Sequence, residues 1–494
     1  MACRRSSFLM ITGVAGLLCL AGCQTARIPH TGLKVPVPSL SFIGLPWPGL
    51  GEGDLKGLSY ENAFLAMKGR MQREYPFTEW KGIDWDALDA RFRPRVKAAQ
   101  DARDAEAFYL AMREFLYAIP DGHLGISDAP DYRKRAIGGG FGFAVARLDD
   151  GRVVVRQLDP QSEAAKAGMT LGAEVLAWNG GALAETASRV SVLWASEPPA
   201  TAEVRVRDQY RLLTRGPVGA TAKVTFQNPG DPAPTEAALT AYDDDYRSLE
   251  LASSFEEAAH DDAAPFEFTT LDGGIAYVKV MAVGATLAVP FPERAFAKGI
   301  GDFVEAGAPG LVLDLRRNSG GSDALAAGIC AHFVREGMLL RHIEKFEAKD
   351  TKFVRDSDET LRVSPNEPHF AGPIVVLIDS NTLDAAEGIV ATLKRLPNVR
   401  TVGEESTHGA YALTGGGMEL PGGHTVFYPV GRAVDDEGKI LIESNRDGTG
   451  GIAPDVRVPL TRETVLQRYE KGEDVILAAG LSALREMLPG RAAQ

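Results

Sequence analysis

The sequence predicts a multidomain α/β protein with a helical N-terminal domain, a small β-rich domain and an α/β core built on a mostly parallel sheet. The chain has 494 residues, enough for two to four domains of about 150 residues each. Between about Leu58 and Ala118, apolar residues recur at intervals of three and four, the spacing of amphipathic helices. From Gly274 onward, strand patterns alternate with helical ones, which indicates parallel strands buried on both faces.

Composition and charge exclude several classes of protein. Hydrophobic residues make up 45% and charged residues 24% of the chain, as in ordinary globular proteins. This balance argues against a disordered chain and against a polytopic membrane protein. The formal net charge of -13 has the wrong sign for neutralising phosphates, so we expect no nucleic-acid partner.

The N-terminus has the features of a secretory signal peptide, which we place at residues 1–22. Arg4 and Arg5 precede an apolar run at residues 8–20 that is shorter than the roughly 20 residues of a membrane-spanning helix. The run ends in Leu-Ala-Gly-Cys23, which resembles the lipobox of bacterial lipoproteins. That resemblance implies lipidation of Cys23, and Gln24 after it implies the outer membrane. We therefore expect a lipid-anchored protein of the cell envelope facing the periplasm, with an uncleaved anchor helix or ordinary secretion as the alternative.

Little of the cysteine content would remain in the mature protein. Cys3 and Cys19 lie within the signal peptide, and Cys23 would carry lipid, which leaves Cys330 as the remaining thiol. No intrachain disulfide framework is expected. Residues 23–56 are rich in Pro and Gly, which support neither a helix nor a central strand, so we interpret them as a tether.

The helical domain is placed at residues 57–130. It closes with the turn Pro120-Asp121-Gly122-His123, in which Pro and Gly break the helix and place an imidazole on a turn. Considered alone, such a histidine is typically bonded to the backbone.

Residues 136–228 contain Gly-Phe141-Gly142-Phe143 followed by a strand pattern, then Ala167-Gly168 and then Trp178-Asn179-Gly180. The resemblance of this order to a PDZ domain is strong. It implies that the Phe141-Gly142-Phe143 loop binds the C-terminal carboxylate of a polypeptide while the adjoining strand accepts the polypeptide as an extra strand. Residues 229–265 contain runs of Asp, which we interpret as a solvated acidic linker.

The α/β core is placed at residues 266–494. Its predicted strands are residues 275–280, 311–315 and 374–378, and its predicted helices are residues 296–305 and 322–334. The chain contains neither a phosphate-binding Gly-rich loop nor a dinucleotide-binding fingerprint, and its eight histidines lack metal-ligand spacing. We therefore predict that the protein needs no cofactor and no metal.

Two segments of this core, residues 310–321 and 378–388, resemble the core of tail-specific, or carboxyl-terminal processing, serine peptidases. With Gly403-Glu404-Glu405, residues 450–455 and the PDZ-like segment, the resemblance covers roughly residues 58–480. It implies a crotonase-like α/β peptidase core that hydrolyses peptide bonds in the cell envelope.

The sequence departs from this family at the catalytic residues. The family's nucleophilic serine lies three residues before a helix glutamate, and here that position is Asp384, before Glu387. The general-base lysine of the processing peptidases is missing too, because Gly409 occupies its position.

A second branch, resembling the tricorn core, uses a histidine from an Asp-Gly-His turn and a later glutamate. His123 and Glu443 occupy those positions, and a histidine oriented by a carboxylate is a sound general base. The same resemblance implies an oxyanion hole formed by Gly320 or Gly321 with the backbone N–H of Ala385.

Asp384 disfavours conventional acyl-enzyme catalysis, because attack by a carboxylate on an amide gives an anhydride rather than an ester. Three other routes stay open at this point. Ser380 or Thr382 could act if the turn shifted, Ser406 could act with His408, or Asp384 and His123 could activate water.

Three hypotheses for function follow. The first is a serine-type peptidase that captures polypeptide C-termini on its PDZ-like domain and carries an atypical group at Asp384. The second is a pseudopeptidase that binds polypeptides as an envelope adaptor lipoprotein without cleaving them. The third, a hydrolase or carrier for a non-peptide ligand, follows from resemblance to retinoid-binding members of the histidine branch.

Overall fold

The computed structural model describes residues 24–27, 34–37, 54–249, 264–286, 288–349 and 351–488. The predicted signal peptide, the predicted lipidation site Cys23 and most of the predicted tether lie outside these residues. Two described segments of the tether pair as antiparallel strands, β1 (Gln24–Arg27) and β2 (Lys34–Val37). At the end of the tether, the Leu55 N–H donates to the Glu419 carbonyl at 2.8 Å, which attaches this end to the folded body.

The N-terminal region is helical, as its apolar spacing predicts. Asp84 and Asp104 accept hydrogen bonds from the first backbone N–H groups of two of its helices, and these caps define where the helices begin. Phe64, Met67 and Met71 lie on one face and are fully buried. The elements are α1 (Tyr60–Glu74), α2 (Thr78–Lys81), α3 (Trp85–Ala102), α4 (Ala105–Tyr117), β3 (Gly125–Ile126) and α5 (Pro130–Ile137).

The next region is a β-rich domain with helices at its edges. Its larger sheet has the order β11-β10-β7-β6-β5, with β8 beside β7, and a smaller sheet has the order β12-β4-β9. The elements are β4 (Gly139–Gly140), β5 (Phe143–Arg147), β6 (Val153–Leu158), α6 (Glu163–Lys166), β7 (Glu174–Trp178), β8 (Gly181–Ala182), α7 (Leu183–Ser188), α8 (Ala202–Leu213), β9 (Arg215–Gly216), β10 (Thr221–Gln227), β11 (Thr235–Thr240) and β12 (Tyr242–Asp243).

The prediction of a solvated linker at residues 229–265 is wrong for its first half. Strand β11 pairs along β10, and Ala237 and Leu239 are buried on alternate positions as in any half-buried strand. Asp244, in the acidic run, is buried and forms an ion pair with Arg215 at 2.7 Å. A charge run can enter a core when each buried carboxylate has a partner, and composition alone does not reveal that partner. Residues 250–263 lie outside the described residues.

The core contains a six-stranded sheet in the order β13-β14-β15-β18-β19-β22, in which every neighbouring pair except β13 and β14 is parallel. The predicted alternation of strands and helices is confirmed here. The elements of the core are β13 (Phe266–Leu271), β14 (Ile275–Val280), α9 (Pro292–Glu305), β15 (Leu311–Asp314), α10 (Asp323–Ala331), β16 (Met338–Glu347), β17 (Lys352–Val363), β18 (Ile374–Leu377), α11 (Ala385–Leu393), β19 (Val399–Gly403), β20 (Ala412–Glu419), β21 (Thr425–Val434), β22 (Val456–Arg457), α12 (Arg462–Tyr469) and α13 (Val475–Met487).

A second core sheet was not predicted from the sequence. It is antiparallel, with the order β17-β16-β21-β20, and β3 of the helical region pairs with β21. Because β3 begins two residues after His123, this pairing holds the Asp-Gly-His turn against the core. In the part of the chain that the structure describes, no helix combines the length and apolar character needed to cross a bilayer.

Candidate functional site

The site is built around Asp384, which stands between the end of β18 and the first residue of α11. Its backbone has φ 57° and ψ -126°, a region that residues with a side chain rarely adopt. The Asp384 N–H donates to the carbonyl of Ala410 at 3.1 Å. A strained turn that presents one side chain at the start of a helix is the geometry of a nucleophile elbow, and here the side chain presented is a carboxylate.

Both oxygens of the Asp384 carboxylate are engaged. Oδ1 lies 3.2 Å from Nε2 of His123. Oδ2 accepts a hydrogen bond from the Gly321 N–H at 3.2 Å. The predicted nucleophile position, the predicted base and one predicted oxyanion donor are therefore brought together in the structure.

The glycine turn after β15 approaches Asp384 closely. Gly320 and Gly321 have φ values of 89° and 134°. A Cβ at position 320 would lie 2.6 Å from the Asp384 Cβ and 2.8 Å from the Ala385 nitrogen, so the turn requires glycine there. The Gly320 N–H is bound to Oδ1 of Asn318 at 2.8 Å, and of the two glycines it is Gly321 that faces the carboxylate.

His123 is held in its turn by the side chain of Asp121. Its N–H donates to Oδ1 of Asp121 at 2.8 Å, and the other oxygen of Asp121 accepts from the Tyr75 hydroxyl at 2.6 Å. Burial alone would lower the pKa of His123. The hydrogen bond and charge of Asp384, with the charges of Asp121 and Glu443, outweigh burial and raise that pKa to about 9. His123 is therefore an imidazolium at neutral pH.

Glu443 does not make the predicted contact with the imidazole. One of its oxygens forms an ion pair with Lys81 at 2.7 Å, and the other accepts from the Tyr411 N–H at 2.8 Å. Both side chains of the ion pair are fully buried. Nδ1 of His123 has no hydrogen-bond partner among the described residues, and the carboxylate of Asp121 lies 3.8 Å from it. No sequence pattern indicated Lys81, whose ammonium forms the ion pair with Glu443.

Lys81 also ties the parts of the site together. Its ammonium donates to the carbonyl of Pro120 at 2.7 Å and to Oγ of Ser444 at 2.8 Å. One buried cation thus fastens the end of α2 to the His123 turn and to the segment that carries Glu443.

The carboxylate of Glu387 stabilises the turn at Asp384 by accepting backbone hydrogen bonds. It accepts from the N–H of Gly409 at 2.8 Å, of Ala410 at 3.1 Å and of Asp384 at 3.3 Å, and from the Thr407 hydroxyl. Burial raises the pKa of Glu387 to about 8, although the hydrogen bonds from Thr407, Gly409 and Ala410 oppose the rise.

The alternative hydroxyls are engaged in structural contacts. Oγ of Ser380 donates to Glu405 and accepts from Arg207, and Oγ1 of Thr382 donates to the Leu315 carbonyl at 3.0 Å.

Ser406 and His408 are no better placed for catalysis. Ser406 hydrogen-bonds to Glu203, while Nδ1 of His408 lies 3.2 Å from the Ser380 carbonyl. Burial, with the charge of Arg207, lowers the pKa of His408 to about 4.

Two further charged residues near the site were missed by the sequence analysis. Asp323 begins α10 and is bound to Arg341 at 2.6 Å. Burial, together with the charge of Asp384, raises the pKa of Asp323 to about 6. Arg207 donates from α8 to Ser380 and Asn381 at 2.8 and 2.9 Å, which links the β-rich domain to the loop before Asp384. Such pairings join residues far apart in the chain, so no local motif signals them.

The predicted carboxylate-binding loop, residues 141–143, packs its aromatic side chains into the core of the β-rich domain. Phe141 and Phe143 are buried, and the Phe141 ring packs edge-on against Trp178 with centroids 5.2 Å apart. The Phe141 N–H donates to the carbonyl of Thr214 at 3.3 Å. Gly142 has φ 82°, and a Cβ there would lie 2.2 Å from that of Ser162.

A cavity of about 310 Å³ lies between the β-rich domain, the loop before Asp384 and helix α12. It touches Leu383 and Ser319, which adjoin the two turns of the site. Five arginines and four acidic residues line it, among them Arg207, Arg317 and Glu197. Burial, with the charge of Asp208, raises the pKa of Glu197 to about 7.

No group of three or more His, Cys, Asp or Glu side chains is placed to hold a metal ion in the described part of the chain. The predicted independence from cofactors and metals stays a prediction.

Comparison with known proteins supports a peptidase core. Residues 274–458 match the model of peptidase family S41, a family of serine peptidases, and residues 58–116 match the tricorn protease C1 domain. No curated protein matches the chain. A crystal structure of mature CPAF is similar in fold, with a TM-score of 0.62 at 15% identity over 87% of this chain and 98% of that one. Mature CPAF complexed with lactacystin has a TM-score of 0.59 at 14% identity over 87% and 99%.

Proposed function

We propose that this chain is a polypeptide-binding pseudopeptidase with an S41 peptidase core, in which the carboxylate of Asp384 replaces the nucleophile. The observation that carries the proposal is the double engagement of that carboxylate, 3.2 Å from Nε2 of His123 and 3.2 Å from the N–H of Gly321. An internal anion stands where the charge of a tetrahedral intermediate would develop.

Three chemical consequences of this arrangement support loss of cleavage. The Gly321 N–H is already bound to a carboxylate, so an incoming carbonyl has to displace it. His123, with a pKa of about 9, is protonated at neutral pH and has no free electron pair at Nε2 to remove a proton. A carboxylate nucleophile would give an anhydride, which does not follow the ester pathway of a serine peptidase.

Polypeptide binding is supported by the β-rich domain, which we propose to be a PDZ domain. Strand β5 is the end strand of its sheet, and α8 packs beside it, as in domains that add a polypeptide strand to a sheet edge. Because the Phe141 N–H is bound to Thr214, we propose that β5 contributes more to binding than this N–H of the loop does. The mostly parallel core sheet supports the crotonase-like architecture that we propose for the core.

We further propose that the protein acts in the cell envelope, tethered by lipid at Cys23 and facing the periplasm. This part of the proposal rests on the residues of the N-terminal segment described above. Its partners would be the exposed C-termini of other envelope polypeptides.

Cleavage of an unstructured polypeptide by purified full-length protein tests the proposal, with binding of the same polypeptide measured in parallel. We expect the native protein to bind without cleaving. We expect Asp384→Ser to acquire cleavage and labelling by a fluorophosphonate, because it supplies a hydroxyl and frees His123 and Gly321.

The matched controls are Asp384→Asn, which removes the charge without supplying a nucleophile, and Asp384→Ser combined with His123→Ala. Neither should cleave. Cleavage by the native protein that His123→Ala abolishes would instead establish an active peptidase with an unusual site. Absence of any polypeptide binding would reject the binding role.

A further inference from the structure

The cavity of about 310 Å³ adjoins the candidate site but is separate from the Asp384 carboxylate. Ser319 lines it and precedes the glycine turn, while Leu383 lines it and precedes Asp384. Ala146, near the end of β5, also lines the cavity, so the cavity borders the strand that we propose to bind polypeptides. The cavity therefore connects the proposed binding edge with the site.

The charges that line the cavity leave a formal excess of one positive charge, from five arginines and four acidic residues. Several of these groups already have a partner. Arg207 binds Asp208 at 2.9 Å, and Arg468 binds Glu404 at 3.1 Å. Asp379 accepts hydrogen bonds from the backbone N–H groups of Arg317 and Asn381, both at 3.0 Å.

Arg317 differs from these arginines. Among the residues that the structure describes, its guanidinium makes no hydrogen bond and no ion pair, although its backbone N–H is held by Asp379. The residue is half-buried and lines the cavity, two positions before Ser319. A guanidinium in this setting presents several donors to whatever enters.

The backbone of Arg317 strengthens this interpretation. Its φ is 64°, in the left-handed region that favours Gly and Asn and disfavours a long side chain. An arginine is therefore present where the backbone alone would select another residue. Strained positions of this kind cluster at binding and catalytic sites.

We propose that Arg317 binds a carboxylate of the bound polypeptide inside this cavity, as a subsite next to the glycine turn. The inference rests on the proposed polypeptide-binding function and assigns the anchoring group within it. A planar guanidinium matches a carboxylate through two parallel N–H donors, which gives geometric selectivity as well as attraction. The carboxylate comes from the chain terminus or from an acidic side chain, and the experiment separates these two sources.

The test measures fluorescence anisotropy of labelled, randomised peptide pools on the full-length protein. Two pools have a free C-terminal carboxylate and two have a C-terminal carboxamide. Within each pair, one pool contains internal Asp and Glu and the other contains neither. We expect the native protein to prefer the carboxylate over its neutral counterpart by about tenfold to a hundredfold, the range of a hydrogen bond to a charged group.

Arg317→Asn should abolish this preference while it keeps a residue that tolerates the left-handed backbone, and Arg317→Lys should keep part of it. Arg400→Asn, at an exposed position on β19, is the matched control and should leave the preference unchanged. Loss of preference on amidation identifies the terminus as the ligand, and loss on removing internal acids identifies a side chain.

A preference retained in Arg317→Asn, or binding without any preference in the native protein, would overturn the Arg317 assignment and leave polypeptide binding intact. If no pool binds the native protein, both the assignment and the proposed function are rejected. The two failures are therefore distinguishable.

Discussion

Asp384→Asn removes the charge that holds the His123 imidazolium while keeping a side chain of the same shape. In the native structure Nε2 lies 3.2 Å from the carboxylate, and the pKa of His123 is raised from 6.5 to about 9 although burial opposes the rise. A rise of this size corresponds to about 3 kcal/mol of pH-dependent stability, at 1.36 kcal/mol for each pKa unit.

The sign follows from the direction of the shift. A histidine whose pKa is raised on folding contributes its full stabilisation below its unfolded pKa of 6.5, and that contribution is lost as the pH rises through about 9. In the Asn variant the charge of Asp384 is lost while burial still lowers the pKa of His123, so that pKa should fall from about 9 and the loss of stability at high pH should shrink. Other buried groups also titrate. The difference in pH-dependent stability between the native protein and Asp384→Asn therefore isolates the contribution of the pair formed by His123 and Asp384.

The direct assay is NMR titration of protein labelled at histidine Cε1, which has eight histidine resonances. One resonance should titrate near pH 9 in the native protein and move in Asp384→Asn. Asp436→Asn is the matched control, because Asp436 binds His342 at 3.0 Å in the second sheet and should leave His123 unchanged. Identical titration of His123 in the native protein and in Asp384→Asn would refute the reasoning.

Three further predictions concern other parts of the site. Lys81→Met leaves the Glu443 carboxylate buried without a counter-charge and should lower the free energy of unfolding by about 3–5 kcal/mol, measured by denaturant titration. Gly320→Ala forces a Cβ to within 2.6 Å of the Asp384 Cβ at a φ of 89°, and should shift the His123 resonance and lower the melting temperature. Glu197, which lines the cavity near Arg207, Arg211, Arg113 and Asp208, has a pKa of about 7. Protonating it removes a negative charge, so the affinity for carboxylate peptides should rise as the pH falls through 7 in the native protein and stay flat in Glu197→Gln.

Each of these three has its own control. Lys97→Met removes an exposed helical pair with Asp101 and should cost less than Lys81→Met, and equal losses would contradict the argument from burial. Gly422→Ala meets no atom closer than 3.5 Å at a φ of 92°, so it isolates backbone strain from the clash at Gly320. A pH dependence that survives in Glu197→Gln would show that another group controls the cavity.

The regular elements of this protein follow closely from local sequence patterns. The helical spacing near Phe64 and Met71 and the strand at residues 275–280 match the structure, because burial on one face or on both faces leaves a periodic record in the chain. The second sheet left no comparable record, and β11 was mistaken for linker because its short alternation lies beside a run of Asp. Antiparallel pairing between distant segments depends on which strands the folded chain brings side by side. The periodicity of a single strand does not specify its partner.

The site divides in the same way. The sequence by itself determined that Asp384 stands three residues before a helix glutamate, that His123 follows a Pro-Asp-Gly turn and that glycines occupy positions 320 and 321, since these are local identities. Only the tertiary structure decided that the Asp384 carboxylate contacts both His123 and Gly321, that Lys81 rather than His123 holds Glu443, and that Arg317 lines a cavity without a partner among the described residues. The reason is physical: charges find partners according to distance and burial in the folded chain, and both are set by packing between elements that lie hundreds of residues apart.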